Sequence, residues 1–77
     1  MDIRHTFGSN LKHYRTEANM SQAALAVKMG VDRAHVSAME RGQQNVTIIT
    51  LWHVAQALDI APAALLNERD EARLAGR

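Results

Sequence analysis

The stretch SQAALAVKMGVDRAHVSAMERG, from Ser21 to Gly42, holds two short helical patterns separated by a glycine. The first is predicted to run over about 21–29 and to stop at Gly30. The second is predicted over about 32–41 and stops at Gly42, since glycine adopts the left-handed conformation that closes many helices. A connection of only about three residues forces the two helices to cross steeply, as in a helix-turn-helix.

The second of these helices has a slim outward face. At about 100° per residue, one arc collects five side chains, opposite Val36 and Met39: Arg33, Ala34, Ser37, Ala38 and Arg41. Surface helices commonly cover this face with long charged side chains, whereas three of these five are alanine or serine. The pattern predicts a face shaped to fit closely against another molecule.

The remaining chain is also helical in pattern, and a single proline with little β-branched alternation favours an all-α fold. Helix one is predicted over about 3–18, closed by Asn19, and helix four over about 48–58. Pro62 is predicted to open a fifth helix through Leu66, because proline suits a first helical position. The predicted core stripe of helix four is Ile48, Leu51, Ala55 and Leu58.

Three helix starts share one local pattern. Ser21, Asp32 and Thr47 can each cap an N-terminus through a side-chain oxygen. Each cap lies between two apolar residues at the spacing of a hydrophobic staple, which are Met20 with Leu25, Val31 with Val36, and Val46 with Leu51.

Length and composition set the class of protein. The chain of 77 residues is predicted to form one domain, with its core at about 3–66 and a charged extension at 67–77. Cysteine is absent, and no apolar run approaches the roughly 20 residues of a membrane span. These features predict a cytoplasmic protein that has no membrane partner.

Charge is unevenly distributed although the net charge is only +1. Residues 1–41 carry six Lys or Arg against four Asp or Glu, while residues 42–77 carry three against four. An anionic partner is therefore expected to meet the N-terminal half of the chain.

The four histidines, His5, His13, His35 and His53, do not form a ligand pair at helical spacing. A glycine-rich phosphate loop and a carboxylate dyad are also missing from the sequence. We therefore predict no catalytic residue, no metal site and no cofactor.

The segment Ser21–Gly42 resembles the helix-turn-helix of the phage repressor and Cro (XRE-like) family, through Gln22, Ala26, Gly30 and the Glu-Arg-Gly ending. More narrowly, VDRAHVSAMERGQQNVT, Val31–Thr47, is similar to the controller proteins of restriction-modification systems, although Ala34 and His35 stand where those often have Thr and Tyr. The resemblance implies a compact five-helix lambda-repressor-like domain, in which helix three of a dimeric transcription factor lies in the major groove of double-stranded DNA.

Within that resemblance, four residues are expected to read bases: Arg33, Ala34, Ser37 and Ala38. Seven are expected to contact the DNA backbone: Gln22, His35, Arg41, Gln43, Gln44, Asn45 and Thr47. The resemblance also implies that Gln22 bridges a phosphate and helix three. The alternatives are plainer. Arg33 could be a solvated surface residue, the alanines simple helix formers, Gln22 a first-turn residue with no partner, and Thr47 only a helix cap.

Two further sets follow. The resemblance implies that Arg15 and Glu40 form a structural salt bridge between helices one and three. Helix four is apolar over a wider arc than a five-helix core needs, which predicts a two-fold interface, the alternative being a generous core. The predicted interface residues are Ile49, Trp52, Ile60 and Leu65.

Together these features predict a homodimeric regulator on a pseudo-palindromic operator, with half-sites about one helical turn apart. The controller resemblance implies control of its own gene and of a restriction endonuclease gene, with two dimers on adjacent operators and the RNA polymerase sigma subunit as a further candidate partner. The alternatives are an antitoxin or phage-type repressor of the same fold, or a protein-interaction module that docks on the transcription machinery.

Overall fold

A computed structural model describes residues 2–68, and four α-helices make up most of this part of the chain. They are α1 (Ile3–Glu17), α2 (Gln22–Met29), α3 (Arg33–Glu40) and α4 (Ile48–Leu58). The described residues include no strand. The bounds of all four helices lie within about two residues of those predicted from the sequence.

The segment Pro62–Leu66 differs from its prediction, because it forms a short 3₁₀ helix in place of a fifth α-helix. The buried side chain of Asn10 explains where it ends. Its Nδ2 donates hydrogen bonds to the carbonyl oxygens of Leu65 (2.9 Å) and Asn67 (2.6 Å). The predicted extension at 67–77 lies outside the described residues from position 69 onward.

Two of the three predicted N-caps make their hydrogen bonds. Ser21 Oγ accepts from the Ala24 amide at 2.9 Å, and Thr47 Oγ1 accepts from the Thr50 amide at 3.0 Å. Asp32 has the backbone conformation of a cap but makes no side-chain cap bond.

Helix α1 has a cap that the sequence reading did not propose. Asp2 Oδ1 accepts from the Arg4 amide at 3.0 Å. The hydrogen bonds that the Arg4 side chain donates to the same carboxylate lower the pKa of Asp2 to about 2.

The core lies between α1, α2, α3 and α4 and includes the 3₁₀ segment. Its buried apolar side chains are Phe7, Leu11, Leu25, Ala26, Val36, Met39, Val54, Ala55, Ala57, Leu58 and Leu65. The outer members of the three predicted staples, Met20, Val31 and Val46, pack against this core.

The predicted core stripe of α4 is partly wrong. Ile48 is 80% exposed, whereas Val54, which the prediction left out, is fully buried. Ala55 and Leu58 are buried as predicted, and Leu51 is half-buried. The inward face of α4 is therefore rotated toward Val54, which leaves the first turn of the helix at the surface.

Gly8 allows α1 to lie directly against the end of α3. A Cβ atom at this position would lie 2.4 Å from the Met39 carbonyl oxygen and 2.7 Å from that of Glu40. This contact fixes where the end of α3 lies along the axis of α1, and it therefore also fixes the position of the Glu40 side chain.

Candidate nucleic-acid interface

The slim face of α3 lies at the surface. Arg33 and Ala34 are exposed, and Ser37 and Ala38 are half-buried. On the opposite side, Val36 and Met39 are at most 1% exposed. Helix α3 is therefore anchored by two large apolar side chains and presents its small residues to the outside.

Arg15 of α1 and Glu40 of α3 form a bidentate ion pair. Arg15 Nε lies 2.5 Å from Glu40 Oε2, and Arg15 Nη2 lies 3.0 Å from Oε1. The two side chains are only 10% and 5% exposed. Nη1 of the same arginine donates to the Met20 carbonyl at 2.7 Å, so Arg15 also holds the entry to α2. The hydrogen bonds with Glu40 raise the pKa of Arg15.

Gln22, the first residue of α2, connects both ends of α3. Its Nε2 donates to Glu40 Oε1 at 3.0 Å, and its Oε1 accepts from Arg33 Nη1 at 3.3 Å. The alternative that Gln22 has no partner is therefore wrong. Arg33 lies at the outer end of this chain of contacts, exposed but attached.

A second set of contacts lies at the end of α3. The Arg41 guanidinium donates to Ser37 Oγ one helical turn earlier and, through Nε, to Gln43 Oε1 at 3.2 Å. Ser37 and Arg41 are therefore hydrogen-bonded to each other on the outward face. From the sequence, Ser37 is predicted to contact a base and Arg41 the DNA backbone.

The loop between α3 and α4 separates the predicted backbone contacts. Gln43 and Asn45 are exposed, and Thr47 is the cap of α4. Gln44 is half-buried and lines a small pocket with six neighbours: Ile3, Arg4, Phe7, Val46, Leu51 and Leu66. Gln44 therefore takes part in the contact between this loop, α1 and α4.

The histidines occupy separate surroundings. His35 is half-buried on α3, and the His5 ring lies so close to Gly42 that a Cβ there would be 2.8 Å from its Nδ1. The His13 ring packs edge-on against Tyr14, with ring centres 5.0 Å apart. Within residues 2–68, no group of three or more His, Asp or Glu side chains could hold a metal ion.

Exposed apolar side chains gather on the first turns of α4. Ile48 is 80%, Ile49 62% and Trp52 48% exposed. We call these three residues the α4 patch. Ile60 is half-buried and packs against the core.

The assignment of Leu65 to an interface is wrong. Its side chain is fully buried in the core of the same chain, and its carbonyl oxygen accepts the hydrogen bond from Asn10. The 3₁₀ conformation turns Leu65 inward, while its neighbour Leu66 remains 44% exposed.

Comparison with known proteins places this architecture in a family. The profile of the helix-turn-helix family HTH_3 matches residues 11–65. The chain belongs to this XRE-like helix-turn-helix family of transcription regulators. Helices α2 and α3 are thus the two helices of its helix-turn-helix. Within residues 2–68, no helix is long and apolar enough to cross a membrane.

Relatives of this helix-turn-helix protein cover most of the chain. The uncharacterized HTH-type transcriptional regulator y4dJ of Sinorhizobium fredii is 37% identical over 92% of each chain. The control protein C.SmaI of Serratia marcescens is 36% identical over 90% of this chain and 82% of its own length. Among solved structures, the restriction-modification controller protein C.AhdI of Aeromonas hydrophila superposes with a TM-score of 0.77 at 42% identity, covering 80% of this chain and 94% of its own.

Two links in the helix-turn-helix were missed by sequence reasoning. Arg41, the C-cap of α3, contacts Ser37 four residues earlier, and the rule that residues four apart are neighbours on a helix could have found this contact. The resemblance implies that Gln22 contacts α3, but its partner Glu40 is 18 residues away, and no local pattern identifies that residue.

Proposed function

We propose that this protein is a homodimeric, sequence-specific DNA-binding regulator of transcription, in which each protomer places α3 in a major groove. The observation that carries this proposal is the exposed slim face of α3 with Arg33 at its start. A major groove about 12 Å wide accepts a helix only when the inserted face is narrow. A helix that docks on a protein would more commonly present large apolar side chains there.

Arg33 is the principal reader of bases in this proposal. A guanidinium has five N–H donors, and Arg33 uses Nη1 to hold Gln22. The remaining donors can form the paired hydrogen bonds to guanine O6 and N7 that make arginine the commonest reader of guanine. Ala34 and Ala38 fit beside thymine methyl groups, and Ser37 offers a hydroxyl aligned by Arg41.

The DNA backbone contacts surround this helix. Gln22 lies at the N-terminus of α2, and Thr47 at that of α4, where free backbone amides favour a phosphate. Gln43 and Asn45 are exposed in the loop between α3 and α4, while His35 lies on α3 and Arg41 is its C-cap. Such contacts position the protein on the duplex and carry no sequence information of their own.

A second copy completes the binding unit. One recognition helix reads only a few base pairs, and helix-turn-helix proteins usually join two half-sites about 34 Å apart through a two-fold dimer. The α4 patch supplies an apolar surface for such a contact. The interface we propose consists of Ile48, Ile49 and Trp52, with Ile60 at its edge.

The regulated genes are proposed from the relatives. C.SmaI is named as a control protein, and C.AhdI is named as a restriction-modification controller protein. We propose the same role here: control of its own gene and of a restriction endonuclease gene, by dimers on adjacent operators. A promoter fusion carrying the upstream region of its own gene would test this, since transcription should change when the protein is supplied in trans.

The experiment that tests base reading begins with selection of binding sites from a randomised duplex pool. Arg33→Ala should then lose about 1 to 3 kcal/mol on the selected duplex and relax the preference at one base pair per half-site. Asn45→Ala should weaken binding to selected and random duplexes alike, since a backbone contact is common to both. Binding is measured by fluorescence anisotropy at fixed salt.

Two outcomes would contradict the proposal. If the wild-type protein enriches no sequence from the pool, the chain does not read DNA, and docking on a protein partner becomes the better account. If Arg33→Ala loses affinity equally for selected and random duplexes, Arg33 contacts phosphate and the readout belongs to other residues.

A further inference from the structure

We infer that Glu40 is a positioning residue for base reading: it fixes the orientation of the Gln22 amide, and through that amide it holds Arg33. This inference rests on the proposed function. It concerns a side chain at the C-terminal end of α3 that is itself only 5% exposed.

The chemistry of the two neighbours permits only one orientation of the Gln22 amide. The Glu40 carboxylate, which accepts two hydrogen bonds from Arg15, acts only as an acceptor, and the Arg33 guanidinium can only donate. The amide nitrogen must therefore face Glu40, at 3.0 Å. The amide oxygen must face Arg33, at 3.3 Å. Turning the amide over would oppose two acceptors on one side and two donors on the other.

Helix geometry makes this bridge possible. Arg33 and Glu40 are seven residues apart, which is about two turns, so their side chains leave α3 on the same side. The side chain of Gln22 enters from α2 between them. Glu40 itself is held by both hydrogen bonds from Arg15, and its side chain is 5% exposed. The chain of hydrogen bonds through Gln22 is therefore fixed at its buried end, Glu40, and reaches the surface at Arg33.

This arrangement couples backbone contact to base reading. The amide nitrogen of Gln22 has two hydrogens and uses one on Glu40, so the second remains for a phosphate oxygen. The amide that binds a phosphate through its nitrogen therefore also holds Arg33 in position, through its oxygen, before DNA binds. A guanidinium held in this way loses less conformational entropy when it forms its base contacts.

The substitution Gln22→Glu tests the inference, because a carboxyl group has the shape of the amide but donates only when protonated. At pH 8 the new carboxylate cannot donate to Glu40, and it attracts Arg33 as a charged partner. We expect discrimination between the selected duplex and one altered at the Arg33 base pair to fall about tenfold, a part of the factor that a paired base contact supplies. Discrimination is the ratio of the two Kd values.

Lowering the pH should restore that ratio. The like charge of Glu40 raises the pKa of the introduced carboxyl group, while Arg15 from α1 and Arg33 from α3 oppose the shift. Once protonated, it donates to Glu40 and accepts from Arg33 as the amide does. We expect discrimination to recover toward the wild-type value between pH 8 and pH 5, with wild-type protein measured at each pH to remove the effects of the histidines.

Matched variants separate positioning from charge and from folding. Asn67→Asp makes the same change from amide to carboxyl at an exposed site after the 3₁₀ segment and should leave discrimination unchanged at every pH. Gln22→Met, which is neutral, should lose discrimination at every pH, and this loss should disappear when Arg33→Ala is already present. Circular dichroism with thermal unfolding establishes that each variant is folded.

The results that would overturn the inference differ from those that would overturn the proposed function. If Gln22→Glu and Gln22→Met weaken binding to both duplexes by the same factor at all pH values, Gln22 is a phosphate contact only and the inference fails while the function stands. If the wild-type protein selects no sequence, both fail together.

Discussion

At Gly8, one absent side-chain carbon determines how closely two helices approach. The carbonyl oxygens of Met39 and Glu40 occupy the space that a Cβ would need. The same contact places Glu40 beside Arg15. The ion pair, and the hydrogen bonds that connect it to Arg33, therefore depend on a glycine, which has no side chain.

Gly8→Ala should destabilise the protein, although alanine is normally about 1 kcal/mol better than glycine inside a helix. The added Cβ would lie 2.4 Å from a backbone oxygen, so α1 and α3 must separate. Overpacking of this kind costs about 1 to 3 kcal/mol. We expect the free energy of unfolding in urea to fall by up to about 2 kcal/mol after the gain in helix propensity is included.

Thr16→Ala is the control on the same helix. Thr16 is exposed, and alanine there should leave stability unchanged or raise it by a few tenths of a kcal/mol. Gly8→Ala should thus lower the free energy of unfolding, whereas Thr16→Ala should not. A stabilising effect of Gly8→Ala would show that α1 does not approach α3 this closely.

The sequence could predict some of these residues and not others. Arg15 and Glu40 were paired through the family resemblance, and the structure has them in contact. Gly8 and Asn10 escaped because their roles arise across contacts between distant segments, such as the 55 residues between Asn10 and Leu65. A glycine inside a helical pattern indicates close packing, but the local pattern of α1 does not identify the segment that packs there.

Among the elements, α4 separates what a sequence pattern determines from what packing determines. Its start is local, since Thr47 caps it. Its inward face is not, because Ile48, Ile49, Leu51, Trp52 and Val54 are all apolar. With so wide an apolar arc, periodicity alone cannot select the buried side, and the neighbouring helices select the side that carries Val54. The helix therefore forms as predicted but faces differently.

The end of α4 shows the same division. Asp59 terminates it in the left-handed conformation with φ of 56°. From the sequence, this role is predicted only for glycines and for Asn19. Aspartate and asparagine adopt this conformation more readily than most residues. Pro62 then opens a helix as expected, but Asn10 captures the carbonyl oxygens that follow it, so the helix remains short.

Capping provides a prediction at this scale. Ser21→Ala removes the hydrogen bond to the Ala24 amide and should lower the free energy of unfolding by about 1 kcal/mol. Asp32→Ala removes no such bond. It should cost less, because only the attraction of a charge to the helix N-terminus is lost, and salt screens that term.

Urea denaturation of both variants at about 0.5 M salt, where exposed charges interact weakly, makes the comparison direct. Equal losses from the two substitutions would mean that Asp32 caps α3 in solution. In that case the start of the recognition helix is held more firmly than its hydrogen bonds in this structure indicate.

For the whole molecule, the surface divides into two regions of different chemistry. The outward face of α3 consists of small side chains, with Arg33 at its start and Arg41 directly after its end. The α4 patch is large and apolar. A surface reading DNA and a surface joining two protomers need these two compositions respectively. Since the net charge is only +1, the first surface depends on where its charges lie more than on their sum.

Trp52→Ala should weaken dimerisation, because aromatic side chains contribute the largest energies in protein interfaces. We expect a loss of about 2 kcal/mol or more, which raises the dimer Kd roughly thirtyfold. Sedimentation velocity across a concentration series measures this shift toward monomer. Leu65, buried in the core, belongs to a different category, and its truncation should reduce the stability of the protomer instead.

Val27→Ala is the matched control for the dimer, since Val27 is apolar, 82% exposed and located on α2. It should leave the sedimentation of the protein unchanged, whereas Trp52→Ala shifts it. Binding to the selected duplex should follow the same order, because a protomer that cannot pair contacts one half-site at a time. An unchanged dimer with Trp52→Ala, or a monomer with Val27→Ala, would place the two-fold contact away from α4.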